Sequence, residues 1–168
     1  LLALQAQILA SPLLFSSNTN QAWQFLTEQI SRALYADRVS IWLFNQADTL
    51  QCIDLFQFQH KSHTNGISLQ RDSYPNYFNA LSHNALIAAY DAPTHPATAE
   101  FNDGYLQSNG ICSMLDVVIQ SEKGLSGVIC IEQVAKPRQW NIDEQQFVAA
   151  MASVASTVHT FSQHLQLQ

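Results

Sequence analysis

The sequence ICSMLDVVIQSEKGLSGVICIEQV, residues 111–134, predicts a β-hairpin. Its two halves, 111–119 and 125–134, are rich in apolar and β-branched residues, as strands usually are. The segment Ser-Glu-Lys-Gly at 121–124 provides a glycine-containing turn between them. Because strands joined by a short turn run in opposite directions, we expect an antiparallel sheet.

A second hairpin is predicted upstream of this one. Residues 38–44 are rich in β-branched and aromatic residues, 45–48 are turn residues, and 50–59 alternate between two faces. Residues 86–90 form a further short strand. These five segments are expected to belong to one antiparallel sheet.

Helical patterns flank the predicted strands at both ends of the chain. Residues 1–10 form a short lead-in helix, and a second helix runs from Thr19 or Asn20 to about Tyr35. Asn141 followed by Glu144 forms a capping box, which predicts the start of a long last helix.

The middle of the chain is irregular. We expect a polar loop at 60–76, a small helix near 77–81, and a long crossing at 91–109 with two short helical turns. This order predicts an α+β fold, with the terminal helices on one face of the sheet. A cap of short helices and loops would cover a pocket on the other face.

Composition limits the kind of protein. A chain of 168 residues fits one domain, and its net charge of −6 without a basic cluster argues against nucleic acid as a partner. No apolar run reaches the roughly 20 residues that cross a bilayer, and no signal peptide is recognisable. We therefore expect a cytoplasmic domain without membrane contact. The dispersed cysteines and the isolated pair His60 and His63, which we expect to be exposed, predict no metal site.

The chain resembles the GAF family. The resemblance rests on the run Asp91-Ala-Pro-Thr-His-Pro-Ala-Thr-Ala-Glu-Phe101, then Tyr105-Leu, Gly110-Ile-Cys-Ser-Met-Leu-Asp-Val, Gly127-Val-Ile-Cys-Ile-Glu132 and Arg138-Gln-Trp140. It is greatest with the sensory GAF domains of bacterial histidine kinases and diguanylate cyclases. The resemblance implies a profilin/PAS-like antiparallel sheet of about six strands, a ligand cavity on one face and dimerising helices on the other.

Some functions of the family do not fit these residues. Bilin-binding members carry a Cys-His pair four residues before a Tyr-Leu pair, where this chain has Phe101 and Asn102, so we expect no covalent bilin. The signature of the members that bind cyclic nucleotides cannot be placed, so we expect no cyclic nucleotide. A GAF-fold methionine sulfoxide reductase also exists, and Cys112 lies in a broadly similar region.

Strand periodicity and the resemblance together suggest which residues surround a pocket. Ser40 and Trp42 share one face of the strand at 38–44. In the strand at 111–119, Cys112, Met114 and Asp116 share one face, and Ile111 and Ser113 lie on the other. Two interpretations of Asp116 stay open: it binds a ligand, or it accepts backbone N–H bonds from residues 91–101. The aromatic residues either wall a pocket or form plain core, and Glu132 is expected to be a solvated strand end. The candidate set is Ser40, Trp42, Tyr77, Phe78, Asp91, Phe101, Tyr105, Cys112, Met114, Asp116 and Gln133.

The last helix carries a sustained apolar stripe, with members spaced four, three, four, three and four residues apart. The first part of the stripe is enough for a helix that packs on the sheet, and the later members, past about Ser156, are expected to need a partner. We therefore expect a parallel homodimer; the alternative is burial within one monomer. The stripe consists of Phe147, Met151, Val154, Val158, Phe161 and Leu165.

We expect a lead-in helix and linker at 1–19, the GAF domain at 20–156, and at 157–168 a helical extension toward an absent kinase or cyclase output domain. The chain contains no GxSxG, Walker, dinucleotide or HExxH motif, which argues against an enzyme. We therefore predict a sensory domain that binds a small ligand and transmits through dimerising helices. The alternatives are a ligand-free dimerisation or spacer module and a methionine sulfoxide reductase.

Overall fold

The computed structural model describes residues 1–46 and 48–167. In this part of the chain seven strands form one antiparallel sheet in the order β3-β2-β1-β7-β6-β5, and β4 pairs with another part of β2. The strands are β1 Arg38–Gln46, β2 Thr49–Gln57, β3 Ser62–Thr64, β4 Ser68–Gln70, β5 Leu86–Ala89, β6 Ile111–Ser121 and β7 Gly124–Val134. This confirms the expected α+β class and the central hairpin.

The helices also follow the predicted order. They are α1 Leu2–Leu9, α2 Thr19–Leu34, α3 Pro75–His83, α4 Gln107–Asn109 and α5 Ile142–Leu167, with 3-10 turns at Pro12–Phe15, Arg71–Ser73 and Ala99–Phe101 and a π turn at Asn102–Leu106. The capping box is confirmed, because Glu144 N–H donates to Asn141 Oδ1 over 2.8 Å and Asn141 N–H donates to Glu144 Oε1 over 3.0 Å. No helix in the described residues is long and apolar enough to span a membrane.

The prediction of a plain loop at 60–76 is wrong. Strands β3 and β4 lie within it, and both pair with the outer side of β2. Each has only three residues and carries polar side chains, so neither shows the alternation by which a strand is recognised in a sequence.

The terminal helices cover one face of the sheet. Helices α2 and α5 pack beside each other, α2 on β1 and β2 and α5 on β6 and β7. Helix α1 and the first 3-10 turn contribute Ile8 and Leu14. The sheet side of this core consists of Val39, Ile41, Leu43, Leu115, Val117, Ile119, Ile129 and Ile131.

The apolar stripe of α5 is directed mainly into this core. Phe147, Met151, Val154 and Val158 are buried within the single chain. Phe161 is half-buried and packs edge to face on Phe15, with ring centroids 5.3 Å apart. The first three members pack on the sheet, because a helix lying on a sheet needs an apolar stripe of this spacing. Val158, which was expected to need a partner, is instead buried within one monomer, as in the alternative.

The opposite face of the sheet carries the cap, which we define as residues 71–83 and 90–109. Its buried side chains pack on the middle of β1, β6 and β7 and form a second core. That core contains Tyr77, Phe78, Leu81, Ala92, Ala97, Phe101 and Leu106 from the cap, and Trp42, Met114, Val118, Val128 and Cys130 from the sheet.

Two irregularities change which residues share a face. In β6 the register shifts between Ile111 and Ser113, so Cys112 is an extra residue and Ile111 faces the cap, not the helices as strict alternation predicted. In β2 a shift opposite Ile41 and Trp42 places Asp54 on the side of α2 and leaves Cys52 in the core under the cap.

Candidate functional site

A small cavity lies between the cap and the centre of the sheet. Its volume is about 30 Å3, room for about two water molecules. Pockets for drug-sized ligands measure roughly 300–1,000 Å3. We call it the cap cavity; it is lined by Trp42, Ile67, Leu69, Tyr77, Phe101, Tyr105, Met114, Cys130 and Glu132.

Aromatic contacts close the cap over this cavity. The ring of Phe101 lies 4.8 Å from that of Tyr77 and 4.7 Å from that of Tyr74. On the sheet, the Trp42 indole N–H donates to Ser40 Oγ over 2.8 Å, which fixes the orientation of the indole. In this arrangement side chains fill most of the space under the cap.

A buried carboxyl group lies directly behind the cavity wall. Asp116 is fully buried on β6, and its Oδ2 accepts a hydrogen bond from the hydroxyl of Tyr77, which is also 3.7 Å from Cys130 Sγ. Burial raises the pKa of Asp116 to about 7. Its Oδ1 has no hydrogen-bond partner in the described residues. Asp116 does not line the cap cavity itself, but Tyr77 and Cys130, which do, separate its carboxyl group from the cavity.

A buried ion pair forms another wall of the cavity. Arg38 Nε donates to Glu132 Oε1 over 2.9 Å, and the Tyr105 hydroxyl lies 2.8 and 2.9 Å from the two Glu132 oxygens. Arg38 Nη2 also donates to the Tyr105 hydroxyl over 3.3 Å. Burial raises the pKa of Glu132, while the charge and hydrogen bonds of Arg38 oppose that rise.

The ion pair results from strand register. Arg38 and Glu132 are directly opposite each other on the antiparallel strands β1 and β7, and both are buried. The expectation that Glu132 is a solvated strand end is therefore wrong. The cap contributes Tyr105, which completes the pair's hydrogen bonds and covers it.

An open surface recess of about 390 Å3 lies on the outer side of this cluster. Arg38 lines the recess together with Gln57, Ser108 and Asn109, whereas Tyr105 and Glu132 line the cap cavity. Since the three side chains bond to one another, the Arg38–Glu132–Tyr105 cluster separates the recess from the cavity.

The structure brings most of the predicted site residues together. Trp42, Tyr77, Phe101, Tyr105 and Met114 line the cap cavity. Three others lie behind them. Ser40 accepts a hydrogen bond from Trp42, and Asp116 accepts one from Tyr77. The ring centroids of Phe78 and Tyr77 are 6.2 Å apart. Thus Asp116 takes its hydrogen bond from a tyrosine of α3 and not from the backbone of 91–101.

Three predicted residues lie elsewhere. Asp91 is exposed at a turn, where its backbone carbonyl accepts hydrogen bonds from the backbone N–H groups of Thr94 and His95. Cys112 is the extra residue of the β6 bulge and does not line the cavity. Gln133 is at the end of β7, where its side-chain oxygen accepts a bond from Arg138 over 3.2 Å.

Sequence reasoning missed five lining or wall residues: Arg38, Ile67, Leu69, Cys130 and Glu132. The sequence contains a signal that could have identified Arg38 and Glu132, because a charged residue in an apolar strand requires a partner when it is buried. Ile67 and Leu69 had none, because their part of the chain resembles a loop.

Two of the three thiol groups are in settings that disfavour reactivity. Burial raises the pKa of Cys52 to about 12 and that of Cys130 well above its ordinary value. Cys112 is half-buried, with Sγ 3.8 Å from the Gly110 carbonyl oxygen. The three thiols are free, and this geometry gives the reductase alternative no support.

Comparison with known proteins agrees with this architecture. The family model described as GAF domain matches residues 18–158. The chain is similar to the GAF domain of an Acinetobacter phosphoenolpyruvate-protein phosphotransferase, with a TM-score of 0.74 and 14% identity over 99% of this chain and 97% of that chain. No curated protein matches the chain.

Two further solved structures are similar. One is the GAF domain of a Coxiella burnetii phosphoenolpyruvate-protein phosphotransferase, with a TM-score of 0.70 and 19% identity over 97% of this chain and 95% of that chain. The other is the phycoerythrobilin-bound GAF domain of a cyanobacterial phytochrome, with a TM-score of 0.76 and 17% identity over 99% and 97%. At these identities the likeness shows the fold alone.

Proposed function

Because the chain belongs to the GAF domain family, a regulatory fold of signalling proteins, we propose that it senses a small molecule beneath the cap. In this proposal α2 and α5, which pack on the reverse of the same sheet, pass the change to a fused histidine kinase or diguanylate cyclase. Residues 1–19 and 157–168 act as the connections to neighbouring segments, on either side of a domain at 20–156.

The observation that carries the proposal is the unpaired Oδ1 of the fully buried Asp116. Leaving a buried polar atom without a partner costs roughly 1–3 kcal/mol, which a ligand that bonds to it would recover. The neighbouring wall is mostly apolar and aromatic, as in most small-molecule sites. These features favour a small, mostly uncharged ligand with at least one hydrogen-bonding group.

Binding requires movement of the cap, because about 30 Å3 holds no metabolite. The side chains that have to move are those of Tyr77, Phe101 and Tyr105. A ligand that displaces the Tyr105 hydroxyl has to replace its bonds to Arg38 and Glu132. Such a ligand changes the helix arrangement only if it binds one arrangement more tightly than the other.

We propose that the homodimer uses the ends of the chain, since most of the α5 stripe is internal. The exposed apolar side chains there are Leu1, Leu2, Leu4, Leu9, Leu13, Phe15 and Leu167. Burial of this apolar surface in a dimer would stabilise the dimer. The contact would adjoin α5, because Leu167 belongs to that helix and Phe15 packs on its Phe161.

Native mass spectrometry of the purified domain tests ligand binding and reports subunit count in the same spectrum. We expect an additional bound mass on the wild type after incubation with a bacterial metabolite extract. Met114→Phe fills the cap cavity and should abolish that mass. The matched control is Val117→Ile, on the helix side of the same strand, which should retain it. If all three proteins carry only their own mass, ligand sensing is refuted.

A second candidate function is a ligand-free dimerisation and spacer module. The small volume of the cap cavity favours it, because the present side chains leave no room for a ligand. The NMR signal of the Trp42 indole N–H separates the two candidates, since Trp42 lines the cavity. A spacer predicts the same spectrum with and without the extract, whereas ligand entry shifts it.

A further inference from the structure

One histidine joins three elements on the helix side of the sheet. His63 lies on the edge strand β3 with 16% of its side chain exposed. Its Nδ1 is 2.8 Å from Asp54 Oδ2 on β2, and its Nε2 is 2.6 Å from Glu28 Oε1 on α2. The ring also packs on Phe56, with centroids 4.9 Å apart. The expectation that this histidine is exposed is therefore wrong.

Both ring nitrogens face carboxylate oxygens, which only accept hydrogen bonds. A neutral imidazole has one N–H, so one of its contacts would place a lone pair against a carboxylate. The imidazolium ion donates at both nitrogens and carries a positive charge between the two acids. The observed geometry therefore fits the protonated ring.

The burial and the other partners of the two carboxylates determine how strongly the second ring proton of His63 stabilises this contact. Asp54 is 2% exposed and otherwise accepts a side-chain bond from Thr27 Oγ1, over 2.6 Å. The second oxygen of Glu28 is 3.6 Å from Arg32, on the exposed side of α2. With only one proton on its ring nitrogens, His63 can donate to Asp54 or to Glu28 but not to both, so one of the two carboxylates then faces a lone pair, which is unfavourable.

We propose that His63 is a pH-sensitive latch that holds α2 against the β2–β3 edge when protonated and loosens it when deprotonated. This regulation does not depend on a ligand, because the latch lies outside the cap cavity. Helix α2 packs on α5, so its release would reach the same helices by which the domain is proposed to signal.

The direction of the pH effect follows from the hydrogen bonds. Burial lowers the pKa of His63, but the bonds and charges of Glu28 and Asp54 outweigh it, and the net pKa is raised above the ordinary 6.5. The stabilisation is therefore fully present below about pH 6.5 and is lost as pH rises through the folded-state value. In that window one proton changes the unfolding equilibrium by up to about tenfold per pH unit.

NMR titration of the His63 ring protons in the full chain tests the latch directly. We expect a midpoint above 6.5 in the wild type and a lower midpoint in Glu28→Gln, which keeps the shape of the partner but removes its charge. A wild-type midpoint below 6.5, or one that Glu28→Gln does not move, overturns the proposal.

Hydrogen exchange tests whether α2 responds. After correction for intrinsic rates, we expect the amides of α2 to exchange several-fold faster at pH 8.5 than at pH 6 in the wild type. In His63→Gln the rates at the two pH values should agree, and the exposed neighbour His60→Gln should behave as the wild type. Equal rates at both pH values in the wild type refute the latch. If His63→Gln does not fold, Glu28→Gln serves for the same comparison.

Discussion

The carboxyl group of Asp116 couples stability to pH at the scale of one residue. Its pKa is raised by burial from 3.8 to about 7, so the folded chain retains a proton that the unfolded chain has released. A raised folded-state pKa stabilises the fold fully below about 3.8, and this stabilisation is lost as pH rises through about 7.

Asp116→Asn should remove this dependence, because asparagine imitates the protonated acid. At pH 8 we expect the variant to be more stable than the wild type by up to about 4 kcal/mol, and at pH 4 we expect the two to agree. Urea unfolding at both pH values measures the difference. A variant that is less stable than the wild type at pH 8 would show that the ionised carboxylate stabilises the fold.

Breaking the buried pair should be more damaging than replacing it. Arg38→Met leaves Glu132 buried without its cation, and we expect a loss of about 3–5 kcal/mol in the free energy of unfolding. The double variant Arg38→Met with Glu132→Leu should recover much of that loss, because no charge stays buried. A double-mutant cycle by urea unfolding checks this, and additive losses would contradict it.

At the scale of elements, the contact between β1 and β7 depends on a glycine. A Cβ at Gly127 would lie 2.1 Å from the carbonyl oxygen of Trp42 on β1, closer than real atoms approach. The two strands that hold the ion pair and the floor of the cap cavity therefore meet where no side chain fits.

Gly127→Ala should separate these strands locally and displace Trp42. We expect a loss of roughly 1–3 kcal/mol and a shift in the Trp42 environment, measured by urea unfolding and by the NMR signal of its indole N–H. Gly104→Ala is the matched control, since a Cβ there meets nothing within 4 Å. A Gly127→Ala protein as stable as this control would disprove the tight approach.

At the scale of the whole molecule, α5 is part of the core of its own chain. Met151→Ala should cost about 2–5 kcal/mol, because Met151 is completely buried between α2 and the sheet. The loss should be the same at low and high protein concentration. Thermal unfolding over a hundredfold range of concentration measures this, and a loss that changes with concentration would show that Met151 lies in a dimer interface.

Much of the fold could be predicted because local patterns determine it. The apolar, β-branched composition of 111–134 and the capping box at Asn141 depend on near neighbours in the chain, and the hairpin and the capping box that they predict are both confirmed. The candidate site was predicted less completely. Alternation placed Trp42 and Met114 correctly, but the bulge at Cys112 reverses the face of Ile111.

The order of helices and strands, the antiparallel hairpins and the two apolar faces can be predicted without the structure, since they follow from propensity and periodicity over a few residues. The folded chain was needed to show that Arg38 pairs with Glu132, that His63 joins Glu28 to Asp54, and that side chains nearly fill the cap cavity. Ion pairing and packing depend on strand register and on contacts between residues 9 to 94 positions apart, which local sequence patterns do not specify.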